Sequence, residues 1–363
     1  MLRYTFQRLF IAIPILWVMA SVIFLFSRIL PGTFGEQQLL QTDAEFYSKA
    51  SKQERDASYQ QLLERTNQQL PVFYVSLAPI SVNPDHNYSY LIPDLEWHGT
   101  KNQYHLWASD VLQGSLGESF VKAQPVNSLI YEAAGNTIWV LGISITLTVA
   151  LAILLGTGLM LGKGGKLRRI ILPSLVIVDS IPFFVLALLL LLLFANPDTL
   201  QLFPAFGLGY TSAAEQHWWA SLLSEFPYLV LPILCLTLSY LPYLTNQVYS
   251  SLAGTMQADF IKTARAKGLS SYKVVTNHAL RNALLPVITT LSDMLPTLVA
   301  GTVVIEVIFA IPGIGRLLVT SVLARDFPVI VGIVVVIALA KMLSNVVADI
   351  CYSIADPRIR YTK

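Results

Sequence analysis

Charged residues supply only 13% of this 363-residue chain, about half the share that coats an ordinary soluble domain. Hydrophobic residues make up 54%. That balance leaves too little charge to cover a globule of this size, which excludes both an ordinary cytosolic enzyme and a disordered chain. Cysteine is nearly absent. The two residues, Cys235 and Cys351, lie in or beside apolar runs and have no evident partner, so they read as unpaired core residues. The five histidines form no His-x3-His pair, and no Cys-x2-Cys pair accompanies them, so no metal site is expected. A phosphate-cradling loop is missing too. The nearest string, Gly162-Lys163-Gly164-Gly165-Lys166, lacks the following Ser/Thr and comes after an apolar run rather than a strand. No Gly-x-Ser-x-Gly elbow occurs. The chain therefore offers no self-contained catalytic machinery and no cofactor site of its own, and a partner must power whatever work it does. A net charge of +2 suggests no nucleic-acid partner.

The sequence does contain long apolar runs. Six stretches, roughly 9–29, 137–161, 170–194, 227–248, 285–309 and 329–350, are long enough to cross a hydrocarbon core of about 30 Å, which takes about 20 helical residues. The expected fold is an all-α polytopic membrane protein with six transmembrane helices. The first run is preceded by Arg3 and Arg8 but is too long for a signal peptide and leads into Arg28-Ile29-Leu30-Pro31-Gly32 without a small-x-small cleavage site, so it reads as an uncleaved anchor.

The loops orient the spans. The segments before span one, between two and three, between four and five, and after six hold 14 Lys and Arg but only two acids, Asp259 and Asp356. The segments on the other side hold 8 Lys and Arg against 16 acids. Basic loops stay inside, which places both termini in the cytoplasm. The domain division follows: residues 1–30 form an N-terminal anchor helix, 31–136 a long first extracytoplasmic loop or small subdomain with a helical run near 43–69, and 137–363 a five-helix transmembrane core with a cytoplasmic loop at 255–286.

That cytoplasmic loop is the most informative stretch. From Asp259 to Pro286 it reads DFIKTARAKGLSSYKVVTNHALRNALLP. Asp259 complements a helix N-terminus. Ala264 and Ala266 lie among helix formers, and Gly268 is placed to end the helix with φ > 0. Ser270 or Ser271 caps a second helix running toward Arg281, and Pro286 marks the start of the fifth span. Two readings are open. Lys262, Arg265, Lys267, Lys273 and Arg281 suit a basic loop on anionic lipid. The small Ala264 and Ala266 beside a turn glycine instead suit close approach by another protein.

This stretch resembles the EAA loop of ABC-importer permeases, with Thr263-Ala264 and Gly268 placed as in the peptide-permease version. Thr263 stands where the leading acid is usual, with Asp259 one turn earlier. Other strings resemble the B-type membrane subunit of dipeptide, oligopeptide and nickel importers: Leu30-Pro31-Gly32, Gly114-Ser115-Leu116-Gly117-Glu118-Ser119-Phe120, Ile181-Pro182-Phe183-Phe184, Phe203-Pro204-Ala205-Phe206-Gly207, Glu306-Val307-Ile308-Phe309, Pro312-Gly313-Ile314-Gly315-Arg316-Leu317, Ala324-Arg325-Asp326 and Asp356-Pro357-Arg358. Residues 36–100 carry no such string.

The resemblance implies half of a translocation pathway for peptides in the cytoplasmic membrane. It also implies a second permease subunit, two cytoplasmic ATPase subunits holding ATP and Mg, and an extracytoplasmic solute-binding protein. Asp259, Thr263, Ala264, Arg265, Ala266, Lys267, Gly268 and Pro286 would couple the chain to an ATPase. The same machinery could carry nickel, glycosides or another solute, or export one. A stand-alone channel and a membrane-embedded enzyme are the readings from other classes.

Asp179, Asp293, Glu306, Lys341 and Asp349 fall at or near membrane depth, where an ionisable residue is a functional candidate. Asp293 and Glu306 are the candidates for the pathway, with an Asp293–Lys341 structural pair as the alternative. Pro312 and Gly313 sit too close together for continuous helix, and form either a re-entrant piece near an outer gate or an ordinary loop.

Overall fold

The computed structural model describes residues 2–29, 52–77, 95–162, 166–206 and 218–355. The helices are α1 (Leu2–Ile29), α2 (Lys52–Arg65), α3 (Gln103–Leu112), α4 (Val126–Leu161), α5 (Lys166–Asp179), α6 (Phe183–Phe194), α7 (Trp218–Thr255), α8 (Asp259–Ala266), α9 (Leu280–Ile308), α10 (Ile314–Ala324) and α11 (Phe327–Ala355). One α turn, Ser271–Lys273, and a π-helical segment, Val274–Ala279, lead into α9. Two short strands, β1 (Val75–Leu77) and β2 (Leu95–Trp97), pair antiparallel in the register Val75↔Trp97.

Helix dominates because hydrocarbon offers no hydrogen-bond partners, so each spanning segment must satisfy its own backbone. The solvent is legible on the surface. Phe10, Ile11, Ile15, Ile138, Trp139, Leu154, Phe184, Leu188 and Leu192 are all more than half exposed, a load of bare apolar side chains that water does not tolerate.

The helices bear out the six-span expectation in part. Among the described residues, three helices are long and apolar enough to cross as unbroken rods: Val126–Leu161, Ser224–Thr255 and Phe327–Val346. The third predicted span, 170–194, is broken. α5 and α6 meet at 103° and make a fourth crossing only if the bent pair is counted as one. Pro182 explains the break. It has no N–H to donate, its ring disfavours helical backbone at Ile181, and it takes extended angles of φ −54° and ψ 136°. In the first span α1 runs 28 residues, Leu2–Ile29, and its described apolar part is Ile13–Arg28. The fifth span lies within α9, whose side chains from 293 to 300 are outside the described residues.

The chain forms two compact units. One comprises Met1–Ala12, Glu132–Leu317 and Ala338–Lys363; the other comprises Ile13–Tyr131 and Leu318–Ile337. The first contains two buried apolar clusters. Leu244, Val248 and Leu252 of α7 meet Ile261 and Ala264 of α8, Val274, Val275 and Ala279 of the π segment, and Ala283 and Val287 of α9. Val140, Leu186, Leu190, Leu231, Cys235, Leu236, Ile305 and Phe309 form the other cluster. Lipid is as apolar as leucine, so contact between such helices depends on close packing. Gly156 of α4 illustrates it: a Cβ there would lie 2.9 Å from the Val248 Cβ on α7.

The second unit is built on rings. Phe24 of α1 stacks on Trp107 of α3 with centroids 5.0 Å apart and meets Tyr104 edge-on at 5.6 Å, while Trp17 lies 5.8 Å from Trp107. Asn102 caps α3 by accepting the His105 N–H at 2.7 Å. The helical run predicted near 43–69 is α2 over 52–65; residues 43–51 lie outside the described residues.

Candidate functional site

The Asp259–Gly268 stretch folds as a short amphipathic helix with a defined stop. Ile261 and Ala264, three residues apart, share a face and are buried in the cluster with Val274 and Leu252. Asp259, Phe260, Lys262, Thr263, Arg265, Ala266, Lys267 and Gly268 are exposed. Asp259 sits in the first turn, where a carboxylate suits the helix dipole, and accepts a 2.8 Å bond from Lys262 Nζ. Thr263 Oγ1 donates to the Asp259 carbonyl at 3.2 Å.

The helix ends as its sequence predicts. Gly268 takes φ +78° with nothing near a built Cβ, so conformation rather than space demands glycine here. The Gly268 N–H reaches the Arg265 carbonyl at 2.9 Å and the Leu269 N–H the Ala264 carbonyl at 3.4 Å, which is the Schellman pattern. Ser270, not Ser271, caps the next helical turn, accepting the Lys273 N–H at 3.4 Å.

Two details differ from the sequence reading. Ala264 is buried against its own chain, so its small size serves internal packing, while Ala266 remains exposed. Pro286, expected at the entry to the fifth span, is not preceded by a helix break. It lies inside α9, which begins at Leu280 and is continuous with the π segment.

Glu306, Pro312 and Gly313 are brought together at the end of α9. The Glu306 side chain is fully buried. Thr137 Oγ1 of α4 donates to Glu306 Oε1 at 2.7 Å and accepts the Ile314 N–H at 2.9 Å. The Arg316 N–H donates to Glu306 Oε2 at 3.0 Å. Asn136 Nδ2 donates to the Pro312 carbonyl at 3.0 Å, and Arg316 Nη1 to the Ala310 carbonyl at 2.6 Å. Gly313 passes directly over the carboxylate, where any Cβ would overlap it. A Cβ at Gly315 would meet the Val303 Cα at 2.5 Å. The Pro-Gly-Ile-Gly-Arg string is thus a tight turn folded onto Glu306, whose charge lies at the N-terminus of α10. Asn136 and Thr137, which no motif marks, complete it.

A second clamp lies between α10 and α11. Asp326 is buried. Its Oδ2 accepts the Ser119 hydroxyl at 2.5 Å and the Val121 N–H at 3.4 Å, while Oδ1 accepts the Phe120 N–H at 2.9 Å. Burial pushes the Asp326 carboxyl above its ordinary value; the Ser119, Phe120 and Val121 bonds and the charge of Lys122 pull the other way. Asp293 lies on α9, but its side chain is outside the described residues, as are those of Asp349 and Cys351.

Bundled apolar helices, an exposed helix-and-glycine turn and two buried carboxylate clamps describe a membrane transport subunit. A family model described as the binding-protein-dependent transport system inner membrane component matches residues 148–361, and the chain belongs to that family. Its relatives include the oligopeptide transport system permease protein AppB of Bacillus subtilis, 35% identical over 260 residues covering 71% of this chain and 80% of AppB. The dipeptide transport system permease protein DppB of Lactococcus lactis is 34% identical over 259 residues, 71% of this chain and 80% of DppB. The oligopeptide transport system permease protein OppB of Haemophilus influenzae is 32% identical over 260 residues, with the same two coverages, 71% and 80%. Such subunits are non-catalytic membrane components of ABC importers, which generally work with ATPase and solute-binding proteins.

Proposed function

We propose that this chain forms half of a peptide translocation pathway in the cytoplasmic membrane, with both termini inside, and that it receives the work of ATP hydrolysis through α8. The peptide cargo is supported by relatives at 32–35% identity whose names specify oligopeptide or dipeptide transport. The observation that carries the coupling role is the division of α8. Its Ile261–Ala264 face is anchored in the chain's own core, and its Asp259–Gly268 face is left exposed and ended by a rigid glycine stop. The partners in this reading are a second permease subunit, two ATPase subunits that bind ATP and Mg, and a solute-binding protein outside. Nucleotide biases a two-state equilibrium, and the shift reaches the spans through α8.

Peptide uptake by the complete complex in proteoliposomes tests this. Arg265→Glu reverses charge on the exposed face, and Gly268→Pro forbids the positive φ. Both are expected to abolish uptake while the complex still copurifies. Intact uptake in either variant with full assembly would remove α8 from the coupling path.

A further inference from the structure

The loop charges place residues 31–136 outside the membrane, yet part of that segment is packed along an apolar helix. Within Ile13–Arg28, α1 has two contrasting stripes. Ile15, Val18, Val22 and Phe26, spaced three and four apart, form one face and are all exposed. Ala20, Phe24 and Ser27 are buried. α3 covers that second stripe. Its Trp107 ring lies 5.8 Å from Trp17 and 5.0 Å from Phe24, and the Tyr104 hydroxyl is 2.8 Å from Ser21 Oγ. Trp17 to Phe24 is about 10 Å of helix at about 1.5 Å per residue, and the bare stripe runs on past it to Phe26. The α3 rings therefore sit at the same height as the bare stripe, within the thickness of one leaflet, about 15 Å of a core of about 30 Å.

From Tyr104 the rings continue to the hairpin. Phe73 lies 5.1 Å and Tyr74 6.0 Å from Tyr104, and Tyr74 stacks on Trp97 at 5.9 Å. The register sets Val75 opposite Trp97, so the two share a face of the β1–β2 pair, and Leu95, two residues from Trp97, lies on it as well. Leu95 and Trp97 are each 71% exposed, and Val75 is exposed too. The other face is polar: Ser76 Oγ is 2.7 Å from His98 Nε2, and Glu96, opposite Ser76, is exposed. A two-stranded hairpin is marginal in water on its own, and one that leaves its apolar face bare requires a cover. Trp97 and the exposed Lys101 that follows it are the residue types that settle at a membrane boundary.

We propose that the Val75–Leu95–Trp97 face of the hairpin is seated in the outer leaflet of the membrane, so that this part of the first extracytoplasmic segment is a monotopic anchor and not a free aqueous loop. The occupant is lipid because the hairpin is joined, ring by ring, to a helix whose opposite stripe already lies bare to lipid. Trp97 takes the headgroup boundary, and Leu95 and Val75 lie against the acyl chains. The inference rests on α1 being a membrane helix with its N-terminus inside, and is independent of cargo and of the coupling role of α8.

The experiment attaches a nitroxide to the complete complex in nanodiscs, in a background cleared of other reactive cysteines (Cys235→Ala and Cys351→Ala in this chain). The label is carried in turn by Phe26→Cys, Leu95→Cys and Glu96→Cys. Its relaxation is measured with oxygen, which concentrates in lipid, and with a water-soluble nickel chelate. Oxygen should dominate at positions 26 and 95, and the ratio should invert at 96, one residue away on the polar face. Adding the solute-binding protein should leave position 95 unchanged. Nickel dominating at 95 alone would show a hydrated face and overturn this inference while sparing α1. Nickel dominating at 26 as well would remove α1 from the membrane, and the inference with it. Low access to both reagents at 95 would mean cover by protein, and a fall in access on adding the binding protein would mean a docking surface; either overturns the assignment. Trp97→Phe gives a second measurement without a label. Headgroup-proximal brominated lipid should quench a smaller part of the tryptophan fluorescence in this variant than in wild type, and equal quenching would also overturn the assignment.

Discussion

Thr137→Val is the sharpest probe of the turn at Glu306. Valine keeps the shape of threonine but removes the hydroxyl, and that hydroxyl makes two bonds at once: it donates to Glu306 Oε1 at 2.7 Å and accepts from the Ile314 N–H at 2.9 Å. The Ala133 carbonyl, 3.3 Å away, competes for the same proton at longer range against a charged acceptor. The substitution strands a buried N–H, at about 1–3 kcal/mol, and takes a donor from a buried carboxylate, at about 1.5–3 kcal/mol. The total expected is about 3–5 kcal/mol, in the range reserved for broken buried networks. Apparent melting temperature of the purified subunit in detergent, followed by tryptophan fluorescence, reads the loss. Thr137→Ser supplies the control, since it keeps the hydroxyl and drops only a methyl. Serine should melt close to wild type and valine well below it. Equal melting of the two variants would show that the hydroxyl does not hold the turn, and the account of Glu306 would fail with it.

Gly313→Ala should prevent recovery of folded protein, because its Cβ would occupy the space of the Glu306 carboxylate, while Gly135→Ala, with nothing within 4 Å, should be tolerated; size-exclusion profiles distinguish them. Gly156→Leu should separate α4 from α7 and lower the folded yield, whereas Gly142→Leu on the same helix meets open space and should not. Asp326 should impose a pH dependence of definite sign. Its folded-state value is raised above the ordinary 3.8, so the stability it contributes is complete below 3.8 and is lost as pH rises through the folded-state value. Melting temperature measured against Asp326→Asn across that window should therefore fall with rising pH, and a flat difference would contradict the burial argument.

How much of the fold and the site is legible in the sequence depends on sequence distance. The stop at Gly268 and the cap at Ser270 are local, settled by neighbours within five residues, and sequence reasoning reaches them. The turn at Pro312–Arg316 is visible as a helix break, but its partners Asn136 and Thr137 lie on a different helix, 176 and 169 residues from the groups they meet. A threonine in an apolar helix ordinarily satisfies itself on its own backbone, so nothing flags it. Ser119 and Asp326 each stand within a recognisable string, yet no spacing rule joins residues 207 apart. The α5–α6 bend escapes for another reason: averaged hydropathy passes over Pro182, although that proline alone denies the backbone a straight course. The π segment at Val274–Ala279 has no compositional sign. Asp293 stands out by depth, and its side chain lies outside the described residues.

The inner face of α8 has a consequence for how displacement would travel. Ile261 and Ala264 are bedded among residues of α7, the π segment and α9, so α8 is not a tether that slack could absorb. Any load on its outer face arrives at two long helices together, and packed side chains resist compression. Under the proposed coupling role the element would act as a rocker rather than a hook, with a stroke set by how far α7 and α9 can slide past one another.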